Sequence, residues 1–294
     1  MHFPGIIPAA ITPFTADDRV DEAALRTNLE ALVGAGVAGL VATGTMGEAG
    51  QLSDGERRTV VETCVAVAGG AIPVIAGVSA GSTAAACRHA AAAREAGAAA
   101  VMCLPPLNYR GTTREVIAFY AAVAEAGGQP IMAYNNPEAS GIDLTPAVVA
   151  EVAAAVDAVV AVKECSGDAR RIAALVNDTD LEVLVGGDDW ALEGFATGAT
   201  GWVSGVANVA PADCVALQAL VEAGRLAEAR MIYARLLPLA RLDMTPKLVQ
   251  HFKGAMDAVG LRGGPTRPPR LALDEAEREV LHAAVAALRA PVAA

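Results

Sequence analysis

Lysine is the scarcest charged residue in this chain, three of its 22 basic residues, and none of the basic residues gather into a run. With a formal net charge of −11, that scarcity argues against a nucleic-acid or anionic-membrane surface and leaves small molecules as the expected partners. Cysteine is also sparse. The five are odd in number, widely spaced and without a C-x-x-C pair, so they read as reduced core residues and not as a disulfide framework or zinc site. The four histidines are scattered, and no metal is expected. No apolar run reaches the roughly 18 residues of a membrane span, and the first residues, MHFPGIIPAAITPF, have no basic region and carry prolines in a short apolar run. The expectation is a cytoplasmic protein.

At 294 residues and 54% hydrophobic, the chain can bury one large core. Eight short runs rich in Val, Ile and Ala recur along it: GIIPAAITPF, GVAGLVATGT (36–45), IPVIAGVS (72–79), AAAVMCLP (98–105), QPIMAYN (129–135), AVVAVKE (158–164), LEVLVGGD (181–188) and TGWVSGV (200–206). They lack clear polar alternation, the pattern of strands buried on both faces in a parallel sheet. Amphipathic segments of helical length separate them, several opened by Ser, Thr or Asp and closed by Gly. Eight such units predict an α/β fold, a TIM (β/α)8 barrel over residues 1–208 with a helical extension over 209–294 packed on it as one structural unit. A doubly wound sheet would want G-x-G-x-x-G after the first strand, and none is there.

Chemistry in such a barrel sits at the C-terminal ends of the strands. That rule selects Thr43 to Glu48, Ser79, Tyr134, Asn135, Lys163, Asp188, Asp189 and Ser204. Lys163 stands out. An ammonium in a low-dielectric barrel mouth is costly unless paired, so a depressed pKa is expected, giving the neutral amine that attacks a carbonyl and forms an electron-withdrawing imine. Tyr134, followed by the turn signal Asn-Asn-Pro, is placed to move a proton. The glycine-flanked turn around Thr45 and Met46 can aim backbone N–H groups at a carboxylate, and the pair Asp188-Asp189 can accept from substrate hydroxyls. Lys247 and Lys253 fall in an amphipathic helical segment and read as solvated-face residues.

Together these stretches resemble the dihydrodipicolinate synthase and N-acetylneuraminate lyase family. The matches are G-T-x-G-E at Gly44 to Glu48, Y-N-x-P at Tyr134 to Pro137, V-K-E-x-S-G at Val162 to Gly167, G-D-D at Gly187 to Asp189 and A-N-V-A-P at Ala207 to Pro211. They fall in family order and spacing over essentially the whole chain. The resemblance implies that Lys163 forms an imine with pyruvate or another 2-oxo acid, that Tyr134 moves the proton and that Thr45 assists it. It further implies a substrate site drawn from Gly44, Met46, Gly47, Gly187, Asp188 and the carbonyl of Val203. No cofactor is implied beyond the covalent lysine imine, and the implied partners are a 2-oxo acid, an aldehyde and further copies of the chain in a tetramer or dimer.

Three departures narrow the function. Synthases of this family carry an arginine in Y-N-x-P-x-R that grips a second carboxylate, where this chain has Ala139; its P-x-A-x-G form is more similar to sugar-acid aldolases and N-acetylneuraminate lyase. Leu107 stands where those synthases place a tyrosine donated across a subunit interface, with Tyr109 nearby as a substitute. Met46 replaces the second hydroxyl residue of the carboxylate turn. The leading expectation is a Schiff-base lyase acting on pyruvate and an aldehyde. Its alternatives are a dehydratase or deaminase using the same imine, the biosynthetic synthase itself, which the missing arginine disfavours, and an idle oxo-acid-binding barrel.

Overall fold

A computed structural model describes residues 2–107 and 109–290; Asn108, beside the Leu107 and Tyr109 positions, lies outside them. Eight parallel strands form the centre: β1 (Gly5–Pro8), β2 (Leu40–Ala42), β3 (Val74–Gly77), β4 (Ala100–Cys103), β5 (Ile131–Asn135), β6 (Val159–Glu164), β7 (Glu182–Val185) and β8 (Gly201–Ser204). Each pairs with its neighbour in sequence, and β1 pairs with β8. The remaining seam is closed by Ala38 N–H donating to Ile6 at 2.8 Å and Ala10 N–H donating to Val41 at 2.9 Å. The expected barrel is present. Nearly every strand residue is buried, which is why the strands read as continuous apolar runs.

The outer helices are α1 (Glu22–Gly34), α2 (Asp54–Ala68), α3 (Thr83–Glu95), α4 (Thr113–Gly127), a single turn α5 (Pro137–Ser140), α6 (Pro146–Ala155), α7 (Ala169–Asp178), α8 (Ala191–Ala196) and α9 (Pro211–Glu222). Their starts follow capping chemistry. Ser53 and Glu56 form a reciprocal capping box on α2, and Gly69 ends that helix in the left-handed region at φ 56°. The helix α9 packs on β1 and α8. It is therefore the eighth barrel helix, returning from β8 to cover the seam, and the extension proper is α10 (Leu226–Ala240), α11 (Leu248–Ala258) and α12 (Glu275–Leu288). A boundary at residue 208 separates the last strand from its own helix.

One continuous apolar core runs through both parts, from Ile6, Leu40 and Val162 to Phe252 and Leu281. Among the described residues no helix is long and apolar enough to cross a membrane, and no group of three or more His, Cys, Asp or Glu is arranged to hold a metal.

Candidate active site

Lys163 and Tyr134 are register partners on the adjacent strands β6 and β5. Neighbouring strands lie about 4.8 Å apart, so this register alone brings the two side chains together on the inner face. The Lys163 Nζ lies 4.2 Å from the centre of the Tyr134 ring. Alternation along β6 sends the next residue, Glu164, the other way, where it accepts from Asn135 Nδ2 at 2.8 Å. Lys163 and Tyr134 open into a cavity of about 320 Å³ at the C-terminal mouth, lined also by Gly44, Thr45, Met46, Gly187, Val203, Cys165 and Gly186.

A glycine makes room for the lysine. A Cβ at residue 186 would lie 2.0 Å from Cys165 Sγ and 2.8 Å from Lys163 Cε, so only glycine lets the lysine chain pass. On the opposite wall Thr43 adopts φ 52° and Glu48 φ 54°, an uncommon conformation for residues with a side chain. These bends bracket Gly44 to Gly47, and the Thr43 hydroxyl holds the first by donating to Gly77 at 3.1 Å.

The electrostatics differ from the expectation of a depressed lysine pKa. Burial does push Lys163 down, but the acidic groups of Tyr134, Cys165 and Asp243 around it outweigh burial and carry it above the ordinary lysine value. Burial likewise pushes Tyr134 up to about 12, with the Lys163 charge opposing. Near neutrality the pair is thus ammonium and phenol, with the Asp243 carboxylate helping to balance the lysine. The hydroxyl of Tyr134 accepts from Asn136 Nδ2 at 3.1 Å.

The structure gathers most of the sequence candidates and separates some. Gly44, Thr45, Met46, Gly187 and Val203 line the cavity with Lys163 and Tyr134. Thr45 is exposed, and Tyr134 takes its hydrogen bond from Asn136 and not from Thr45. Gly47 lies outside the lining, where a Cβ would meet the Ala10 carbonyl at 2.9 Å. Asp188 is fully buried. Its carboxyl accepts from Ser204 Oγ at 3.0 Å and from the backbone N–H of Gly205 and Val206 at 3.2 and 2.8 Å, so it braces the turn after β8 and does not face substrate. Desolvation, with Asp243 nearby, pushes its pKa well up against those donors. Ser79 and Asn135 also brace loops, accepting from Leu104 N–H and Leu144 N–H at 2.9 Å each. Tyr109 points elsewhere: it is exposed and donates to Glu115 at 2.8 Å.

Lys253 is not a solvated-face residue. It is 2% exposed and pairs with the wholly buried Glu48 at 2.6 Å, while also donating to the Pro265 carbonyl at 2.7 Å. Lys247 is half-buried beside Glu277. Sequence reasoning missed two further groups: Gly186 and Asp243. The first had a signal in the V-G-G-D run at the end of β7; the second, between two helices of the extension, had none.

The chain is similar to known proteins along nearly its whole length. A model of the "Dihydrodipicolinate synthetase family" matches residues 2–288. The chain is 36% identical over 280 residues to a protein of Methanopyrus kandleri named 4-hydroxy-tetrahydrodipicolinate synthase, covering 94% of this chain and 93% of that one. A protein of the same name from Hyphomonas neptunium is 38% identical over 288 residues, covering 97% and 98%. Among solved structures, the E. coli K12 prophage protein YagE, of the dihydrodipicolinic acid synthase family and in complex with pyruvate, superposes with a TM-score of 0.91 at 26% identity, covering 98% and 99%.

Proposed function

The chain belongs to the dihydrodipicolinate synthetase family and is a lyase, and on that premise we propose that it joins or splits pyruvate and an aldehyde through an imine on Lys163. The observation that carries the reading is the Lys163 ammonium held against the Tyr134 ring in the mouth of one cavity. Entry of the oxo acid sets its carboxylate against the backbone at Thr45 and Met46, the turn fixed by Thr43 and Glu48. Lys163 gives up a proton, its amine adds to the C2 carbonyl and water leaves, forming a protonated imine. That cation draws electrons from C3, so a methyl proton can be lost and an enamine formed. The enamine carbon bonds to the aldehyde carbon, and the aldehyde oxygen takes a proton. Tyr134 is the group within reach to carry these protons. Water then adds back and releases the amine.

Ala139 and the absence of arginine from the cavity lining weigh against the activity after which the methanogen and Hyphomonas relatives are named. Elimination of water or ammonia from a longer oxo acid uses the same imine; a half-buried acid, Asp243, in the cavity wall favours keeping it as a second reading, distinguished by whether pyruvate is a product. A homo-oligomer, tetramer or dimer, is part of the proposal, as is the absence of any cofactor besides the lysine imine and a cytoplasmic location.

The test needs no aldehyde. Enamine formation exchanges the methyl protons of pyruvate with solvent, so proton NMR in D2O should show enzyme-dependent loss of the methyl signal. Lys163→Ala should abolish the exchange while unfolding normally; equal exchange in that variant would exclude the imine.

A further inference from the structure

We propose that Asp243 makes the outer half of the pocket selective for a second component whose tail presents hydrogen-bond donors, hydroxyl or protonated amine, and that disfavours one ending in a carboxylate. The proposal rests on the imine reading above and names the class of its second substrate. Among the described residues three charged side chains line the cavity: Lys163, Glu138 and Asp243. Glu138 is exposed at the mouth, and Asp243 is half-buried in the short turn Arg241–Met244 between α10 and α11. Among the described residues Asp243 has no ion-pair partner; its stabilising neighbours are Lys163 and the backbone at Asp188.

The charges change as the reaction proceeds. In the resting site the Lys163 ammonium offsets one of the two carboxylates. Once the imine forms, its positive charge is matched by the carboxylate of the bound oxo acid, and Asp243 and Glu138 are left uncompensated. A tail bearing a further carboxylate would enter a region already negative, whereas a hydroxyl or ammonium would donate to a carboxylate that has no ion-pair partner among the described residues. Burial raises the Asp243 carboxyl to about 6, which still leaves it an ionised acceptor at neutral pH. The Arg110 guanidinium lies beside Gly141 and outside the lining.

The experiment compares kcat/KM with pyruvate for three short aldehydes: glyceraldehyde, 3-aminopropanal and succinic semialdehyde. Wild-type protein should favour one or both donor-tailed aldehydes over succinic semialdehyde by at least about tenfold; which of the two leads tells hydroxyl from ammonium recognition. In Asp243→Asn the ratio of donor-tailed to carboxylate-tailed kcat/KM should fall by about tenfold or more, a ratio that effects on the shared imine step leave unmoved. Asp243→Ser serves if the first variant folds poorly. A wild-type preference for succinic semialdehyde would overturn the proposal and point to Arg110; so would an unchanged ratio in the variants, or methyl exchange of pyruvate with no turnover of any of the three. Failure of wild-type methyl exchange would instead sink the imine reading itself.

Discussion

Lys163 reaches across the barrel mouth because residue 186 has no side chain. Gly186→Ala would push a methyl group into Cys165 and the lysine stem, displacing the amine by a fraction of its own length. Misplacement on that scale costs roughly 10²-fold, and methyl exchange of pyruvate should fall by about that much while the unfolding midpoint moves little; exchange within twofold of wild type would show that the lysine needs no such slot. Tyr134→Phe keeps the ring beneath the ammonium and removes the hydroxyl proposed to carry the protons. Turnover should drop by roughly 10²- to 10⁴-fold, whereas adduct formation with pyruvate persists, and an unchanged rate would remove Tyr134 from the mechanism. Because Lys163 is raised above the usual lysine value, imine formation should accelerate with pH through and beyond neutrality, as more of the amine is neutral. A rate flat across neutrality would contradict the raised value. Lys163 and Tyr134 were legible in the sequence because each ends an apolar run, and strand ends face the mouth. The sign of the lysine shift was not, because it depends on Tyr134, Cys165 and Asp243, which lie 29, 2 and 80 positions away along the chain and converge only in the fold.

At the scale of elements, the Gly44–Gly47 turn between β2 and α2 is held from behind by the extension. Glu48 meets Lys253 of α11 and accepts from the Arg267 N–H at 3.0 Å. Lys253 and Arg267 both lie over the Phe14 ring, at 4.3 and 4.2 Å from its centre. Removing one member of a buried ion pair strands the other charge, at a cost of about 3–5 kcal/mol. Lys253→Ala should therefore lower the unfolding free energy by up to that amount, and should weaken pyruvate binding by loosening the turn; a stability within about 1 kcal/mol of wild type would show that Arg270, 3.5 Å from Glu48, compensates its charge. The sequence revealed the turn but not its anchor. Periodicity placed Lys253 on a helix, and which face of that helix is buried depends on where the extension docks.

For the whole molecule, the extension is stapled to the barrel by Arg267, which binds the Glu56 and Asp18 carboxylates and donates to the carbonyl of Gln51 at 2.8 Å. The guanidinium, aided by Ser53, holds the Glu56 carboxyl at about 2, below the usual 4.5. A carboxyl depressed on folding stabilises the native state above its unfolded pKa, and that stability is lost as pH falls through the folded value. Unfolding free energy should thus decline between about 4.5 and about 2, and Arg267→Ala should flatten this part of the profile; identical slopes would dissociate the staple from acid stability. The eight strands and the helices between them were readable because a parallel barrel buries both strand faces and its helices carry caps such as Ser53 and Ser82. The limit of the barrel was not, since α9 is the first of an unbroken series of helical segments after β8, and only its packing on β1 assigns it to the ring.

All three scales converge on one amine. Incubation with pyruvate, reduction with borohydride and peptide mass spectrometry should locate a single reduced adduct on Lys163, absent from Lys163→Ala and absent from Lys247 and Lys253, whose partners hold them elsewhere. Wild-type protein that exchanges pyruvate protons but carries no adduct on Lys163 would contradict the account.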